Sequence, residues 1–194
     1  MKKINETSCK REAILDSALE LIAEKGFHGA STDLIAKKAN AGVGSIYRYF
    51  ASKDILITEL YKELLSNIKR DMLIGYKNDG PIKEKFIHLC GALLQFFISS
   101  PIEFKFLEQY SNSPYGISCR REQVFGEDSD LLKMFRDGQK AGLIKKLPPS
   151  VLLALIFGPI ITMARDHIQG IAEMNDKKIL KNAVEACWDA IASH

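Results

Sequence analysis

Cysteine is scarce and unpatterned, with four in 194 residues (Cys9, Cys90, Cys119 and Cys187), far apart and without a CxxC pair. That spacing excludes a zinc framework of paired thiolates and a small disulfide-stapled fold, and suits idle thiols in a reducing compartment. The four histidines (His28, His88, His167 and His194) are just as scattered, so no metal-ligand spacing arises. A Ser/His/Asp set and a phosphate-cradling glycine loop are also missing. Enzyme chemistry, a bound metal and a cofactor are therefore not expected. The longest stretch free of Asp, Glu, Lys and Arg is Leu147 to Ala164, 18 residues, and Pro148, Pro149 and Pro159 interrupt it. No unbroken apolar run reaches membrane-crossing length, and the stretch reads as a buried helix. Met1 to Arg11 is polar and lacks a signal peptide's apolar run, so a cytoplasmic location away from the membrane is expected.

A large excess of one charge is also lacking, since the formal net charge is only +3. Its placement is informative. Residues 1–53 hold nine Lys/Arg against six Asp/Glu, while 54–194 hold 18 of each. The whole excess lies on the N-terminal segment, where a phosphate-binding surface would want it. Apolar residues make up 46% of the chain and charged residues 26%, which suits a sizeable core and a soluble surface.

The periodicity is helical almost throughout, without β-type alternation, repeats or low-complexity tracts. Ile14, Leu15, Ala18, Leu21 and Ile22 give the first helix one apolar face, and Gly26 suits its stop. Thr32 is a plausible N-cap for a helix to about Ala39, Asn40 to Gly42 make a turn, and Val43 to Phe50 form the next helix. Ser52 can cap a long helix from Lys53 to about Leu73. Pro81 opens a helix to about Ile98 and Pro101 another to about Tyr110, with a loop over 112–116. A helix follows near Ser129 to Lys140. Pro148-Pro149 introduces an apolar helix to about Gln169, which Pro159 should bend, and Asp176 can start the last helix. The expected fold is all-α with about nine helices. Residues 1–53 form a helix-turn-helix domain, and residues 54–194 a helical domain for effector binding and dimerisation.

Short helices on either side of a tight turn are the layout that seats a helix in the DNA major groove. In the second, Ile46 and Phe50 share a core face. The remaining surface shows Val43, Gly44, Ser45, Tyr47, Arg48 and Tyr49. Gly44 costs so short a helix about 1 kcal/mol relative to Ala, a cost that close approach of a bulky partner would justify. Phenols at 47 and 49 can donate to phosphate while their rings cover sugar, and Ser45 can reach a phosphate or a base edge. Arg48 can bond a guanine edge or a phosphate, and Val43 can touch a thymine methyl. Lys53 meets the positive end of the next helix dipole, a penalty that a docked phosphate would turn into attraction. Blander readings stand beside these: Thr32 as a cap only, the tyrosines as packing residues, Arg48 as a solvated charge.

With Thr32-x-x-Ile35-Ala36, Ala39, Gly44-Ser45-Ile46-Tyr47-Arg48-Tyr49-Phe50 and Ser52-Lys53-Asp54-x-Leu56, the chain resembles the TetR family of bacterial transcriptional regulators. The resemblance covers roughly residues 10–60. It implies a homodimer, one helix-turn-helix per subunit, and a C-terminal helical domain that dimerises and binds a small effector. The family's DNA contacts carry over to Thr32, Val43, Gly44, Ser45, Tyr47, Tyr49 and Lys53, with Arg48 added. Gly42 stands where a capping Ser is usual, and Val43 where a polar residue is frequent. A repressor released from a palindromic operator by its effector is the implied default, with an activator as the alternative. A helical adaptor using Tyr47 and Tyr49 against a protein is the rival from another class.

Beyond the motif, six of the 17 aromatics lie between Phe96 and Tyr115. They could line a cavity for an apolar or aromatic molecule, or simply be core. Phe97, Phe104, Tyr110, Phe157 and Met163 are the candidate effector contacts, with Glu103, Glu108, Asp166 and His167 as possible polar anchors. The last two long helices, about 149–169 and 176–192, hold more apolar residues than a monomer needs, so a four-helix dimer bundle is expected.

Overall fold

A computed structural model describes residues 2–117 and 129–193, and leaves the side chains of residues 2–8 and 117 undescribed. Ten helices occur among the described residues: α1 (Lys2–Gly29), α2 (Thr32–Lys38), α3 (Val43–Tyr49), α4 (Lys53–Met72), α5 (Ile82–Ser99), α6 (Pro101–Ser111), α7 (Pro114–Ile117), α8 (Asp130–Lys140), α9 (Pro149–Ile168) and α10 (Lys177–Ile191). The all-α expectation holds. The loop expected over 112–116 is instead partly the single turn α7. Cys119 lies outside the described residues; Cys9 is exposed, while Cys90 and Cys187 are buried.

The helix ends follow local chemistry. Ser31, not Thr32, caps α2, its hydroxyl accepting from the Leu34 N–H at 3.3 Å. Thr32 is the first helical residue. Ser52 accepts from the Ile55 N–H at 3.2 Å and Asp176 from that of Lys178 at 2.7 Å, both as capping requires. Gly26 takes φ 73° and ψ 173° within α1. There the helix breaks before a last short turn, a conformation that favours glycine.

The chain divides into two compact units. The first comprises Met1–Ser66 and Ile102–Ser118, the second Asn67–Pro101 and Cys119–His194. In the first, α1 packs on α2 and α3. Its core holds Ile14, Ala18, Ile22, Ile35, Ile46, Phe50 and Ile57, each at most 1% exposed. Removing such side chains from water stabilises by roughly 1.5–3 kcal/mol for each large one. Leu56, Ile57, Leu60, Tyr61 and Leu64 are buried at the three- and four-residue steps that give α4 one apolar face.

In the second unit α5 packs against α8, α9 and α10, and Phe86 meets Trp188 edge-on with ring centroids 5.4 Å apart. Pro159 does not end α9, which runs as one 20-residue helix through it. Among the described residues this helix alone is long and apolar enough to cross a membrane by length and composition. It is buried on one side only. Leu152, Leu153, Ile156, Phe157, Ile160 and Ala164 face the unit's core, whereas Val151, Ala154, Leu155, Gly158 and Thr162 are exposed. The helix is buried as the sequence implies, but on one face; its other face is largely apolar and exposed, the surplus apolar surface also read from the sequence.

Close approach fixes one glycine. A Cβ on Gly138 in α8 would lie 2.4 Å from Ile144 Cδ1. Ile144 is itself 1% exposed and bridges to Ala192. Gly138→Ala should destabilise by about 1–3 kcal/mol through overpacking, lowering the Tm by roughly 2–4 °C per kcal/mol in a chain of this size. A thermal unfolding scan with an unchanged or raised midpoint would contradict this packing.

Candidate nucleic-acid interface

The turn between α2 and α3 is built from backbone bonds. Asn40 adopts φ 49°, a left-handed conformation that asparagine tolerates better than most side chains. The Ala41 N–H reaches the Ala36 carbonyl at 2.9 Å, the long bond of a Schellman closure. Gly42 then starts α3 in an extended conformation (φ −77°, ψ 149°) with no side-chain cap. Glycine is not required by its backbone, and its absent Cβ would have only Ser45 Oγ nearby, at 4.0 Å. The Ser45 N–H instead reaches the Gly42 carbonyl at 2.8 Å.

Ile46 and Phe50 are buried (1% and 0% exposed) and orient α3, as the sequence implies. Tyr47 is 53% exposed, which removes the packing explanation for that phenol. Arg48 is exposed and Tyr49 half-buried. The Arg48 guanidinium lies 5.0 Å from the Tyr49 ring centre, and its Nη2 donates to Tyr49 Oη at 2.8 Å. Thr32, Val43 and Ser45 are half-buried. Gly44 is exposed, and a Cβ placed there would meet nothing within 4 Å. The fold itself therefore gives no steric reason for glycine at 44.

Lys53 stands differently from its sequence reading. It is half-buried in the first turn of α4, and its Nζ donates to the Phe27 carbonyl at 2.5 Å. That carbonyl lies just past the break at Gly26, so the cation ties the end of α1 to the start of α4. The awkward placement against the α4 dipole has a partner inside the fold. Burial pushes the ammonium below its ordinary pKa, opposed by Asp54. An ammonium carries three donors, so this bond leaves capacity for a phosphate.

Arg11 is the residue that sequence reasoning missed. Its Nη1 donates to Glu63 and its Nη2 to Glu59, both at 2.6 Å, and its guanidinium lies 5.3 Å from the Phe50 ring centre. One side chain thus joins α1, the end of α3 and α4. The acidic pair at a four-residue step on α4 was the available signal. Lys37 and Lys38 in the last turn of α2 are further exposed cations; Lys38 is paired with Glu20 at 2.6 Å.

The candidate effector contacts fall in both compact units. Phe104 and Tyr110 belong to the first compact unit, Phe97, Phe157 and Met163 to the second. Phe97, Phe104, Tyr110 and Phe157 are all buried, and Met163 is half-buried. Tyr110 stacks on Tyr61 at 3.8 Å and 6°, beside Tyr115 at 6.0 Å and Phe27 at 6.5 Å. Tyr115 donates to Asp54 Oδ1 at 2.5 Å. Burial first, then that bond, pushes its phenol up to about 12. Gln109 Nε2 donates to the Ala23 carbonyl at 3.2 Å. These contacts hold α6 and α7 against α1 and α4. His167 accepts at Nδ1 from the Met174 N–H at 3.3 Å, a structural task at the end of α9. No group of three or more potential metal ligands occurs among the described residues.

Comparison with known proteins agrees with this geometry. Residues 14–60 match the family model described as bacterial regulatory proteins, tetR family, and residues 81–192 match a tetracyclin repressor-like C-terminal domain. An uncharacterized HTH-type transcriptional regulator of Bacillus subtilis, YhgD, is 26% identical over 166 residues, covering 81% of this chain and 86% of that protein. The solved structure of a TetR family protein from Vibrio parahaemolyticus is 31% identical, with a TM-score of 0.73 over 95% of this chain and 99% of that one. A TetR family transcription regulator from Marinobacter aquaeolei VT8 shares the fold over the full length of both chains, at a TM-score of 0.86 and 24% identity.

The open space around Gly44 yields a direct expectation. Gly44→Ala should stabilise the isolated protein by up to about 1 kcal/mol through helix propensity alone. Chemical denaturation followed by circular dichroism measures it, and a clear loss of stability would mean the fold itself demands glycine.

Proposed function

The chain belongs to the TetR family of bacterial transcriptional regulators, and from that premise we propose that it is a homodimeric repressor released from a palindromic operator by a small hydrophobic molecule. DNA binding and transcriptional regulation come with the family; the repressor role, the operator, the effector and the dimer are our reading. The carrying observation is the outward face of α3. Tyr47 is exposed, Arg48 is held beside Tyr49, and Gly44 is small without internal cause. We assign Tyr47, Tyr49, Thr32 and Ser45 to phosphate and sugar, with Lys53 using its remaining donors in the same way. Arg48 and Val43 take base edges, and Gly44 lets the backbone approach. Residues 1–53 then act as the reading domain and 54–194 as the effector and dimerisation domain, at work in the cytoplasm.

Dimerisation has its own support. The exposed stripe of α9 recurs at helical steps (Val151, Leu155, Gly158, Thr162), and α10 exposes Ile179, Ala186 and Ala190, with Ala183 half-buried between them. Small residues on both stripes allow close helix packing, and a twofold copy would cover them in a four-helix bundle. Two α3 helices would then enter successive major grooves, with half-sites about one helical turn apart or a multiple of it. For the effector we retain Phe97, Phe157 and Met163 as apolar contacts of the C-terminal domain. One face of Tyr110, in the first compact unit, is stacked on Tyr61. A ligand that prefers one spacing of the reading helices shifts the population away from DNA.

An electrophoretic shift with the duplex just upstream of the protein's own coding region tests this reading. Tyr47→Phe should weaken binding to every sequence, Gly44→Ala should weaken it despite the stabilised fold, and Arg48→Ala should relax sequence preference by about 1–3 kcal/mol at one position. Unchanged affinity in all three would remove α3 from the interface, and salt-independent binding to a protein would favour an adaptor. Sedimentation should show a dimer at micromolar concentration. Leu155→Glu should yield a folded monomer that no longer shifts DNA, and a wild-type monomer would refute the bundle.

A further inference from the structure

We propose that Tyr49 is a positioning residue for Arg48, holding the guanidinium as a preset fork for base reading while its own hydroxyl proton goes to the DNA backbone. This deepens the DNA reading above and rests on it. Neighbouring residues on a helix do not face one another. Arg48 and Tyr49 meet only because the arginine turns sideways onto the ring, at 5.0 Å from its centre, with Nη2 on the phenol oxygen at 2.8 Å. A solvated arginine in the last turn of a short helix would otherwise spread over many rotamers, and that freedom is lost when it docks.

The platform is itself fixed. Tyr49 is half-buried, its ring 6.5 Å from that of Phe50. Phe50 is fully buried beneath Arg11, which Glu59 and Glu63 hold in turn. The position of the Arg48 fork is thus referred back, ring by ring, to the core of the first compact unit.

The donor count permits both tasks. A guanidinium has five N–H donors. One is used on Tyr49, so its other edge can address the two acceptors of a guanine major-groove edge. A phenol that accepts from Arg48 still donates its own O–H. Placed on phosphate, that proton would fix the register of the helix and the arginine's position against the bases together. Tyr49 therefore bears on which sequence is chosen, although it touches no base.

The test uses the full-length protein and a duplex enriched by it from a randomised library. Single-base-pair variants of that duplex and an unrelated duplex of equal length are compared. Tyr49→Phe keeps the ring and removes only the hydroxyl. It should lose about three- to tenfold of the discrimination at the base pair where Arg48→Ala loses it, within the range of one bidentate contact. In the Arg48→Ala background the same change should lower discrimination no further. A loss uniform over all duplexes, and equal with or without Arg48, would overturn the proposal and leave Tyr49 as a phosphate contact only. Unaltered discrimination in Tyr49→Phe would overturn it equally. Failure of the wild-type protein to enrich any duplex would sink the DNA reading itself, a result distinct from either.

Discussion

Phe50 closes α3 with no exposed surface, and the rest of the DNA-reading unit depends on that burial. Its ring is covered by Arg11, whose two nitrogens each meet an α4 carboxylate at 2.6 Å. Magnitudes decide which effect leads. The ion pairs are about one-third to one-half exposed, so each contributes at most about 1 kcal/mol. Removing the phenylalanine ring from water contributes roughly 1.5–3 kcal/mol. The apolar contact holds α3, and the charged pair fixes how α1 and α4 stand around it. Direction comes from the polar groups and most of the strength from the ring.

The same division of labour recurs where α6 and α7 meet α1 and α4. The stacked Tyr61–Tyr110 pair and the rings of Phe27, Phe106 and Tyr115 supply apolar area. Gln109 on the Ala23 carbonyl and Tyr115 on Asp54 supply direction. A segment that begins at Ile102, well beyond the end of α4 at Met72, thereby belongs to the compact body that carries the recognition helix. Lys53 on the Phe27 carbonyl joins the same two helix ends. The scaffold behind α3 is consequently fixed at several independent points. Its outward face keeps side chains that the fold does not consume, Tyr47 above all.

Much of this was legible because it is local. Helical periodicity located the elements, and Ile46 and Phe50 fell on the core face, because a side chain's face follows from its position along one helix. Capping by Ser52 and Asp176 was readable since cap and amide lie three residues or fewer apart. Thr32 was read as the cap of α2, but the backbone makes it the first helical residue and its neighbour Ser31 the cap. Pro159, where a bend is expected, lies inside α9, which runs through it as one helix. The motif led to the recognition helix and to the family, while the aromatic run of 96–115 left open whether its rings line a cavity or form core.

By itself, then, the order of residues determined the helices, the buried face of α3 and the chemistry offered on its other side, all consequences of spacing along one chain. Only the tertiary structure decided that Lys53 reaches Phe27, that Arg11 seals Phe50, that Tyr110 lies on Tyr61, and that Gly138 has room for nothing larger. Each joins groups distant in sequence, or a glycine to the residue packed on it. A cation, a ring or a missing methyl has no preferred partner until folding brings one within a few ångströms.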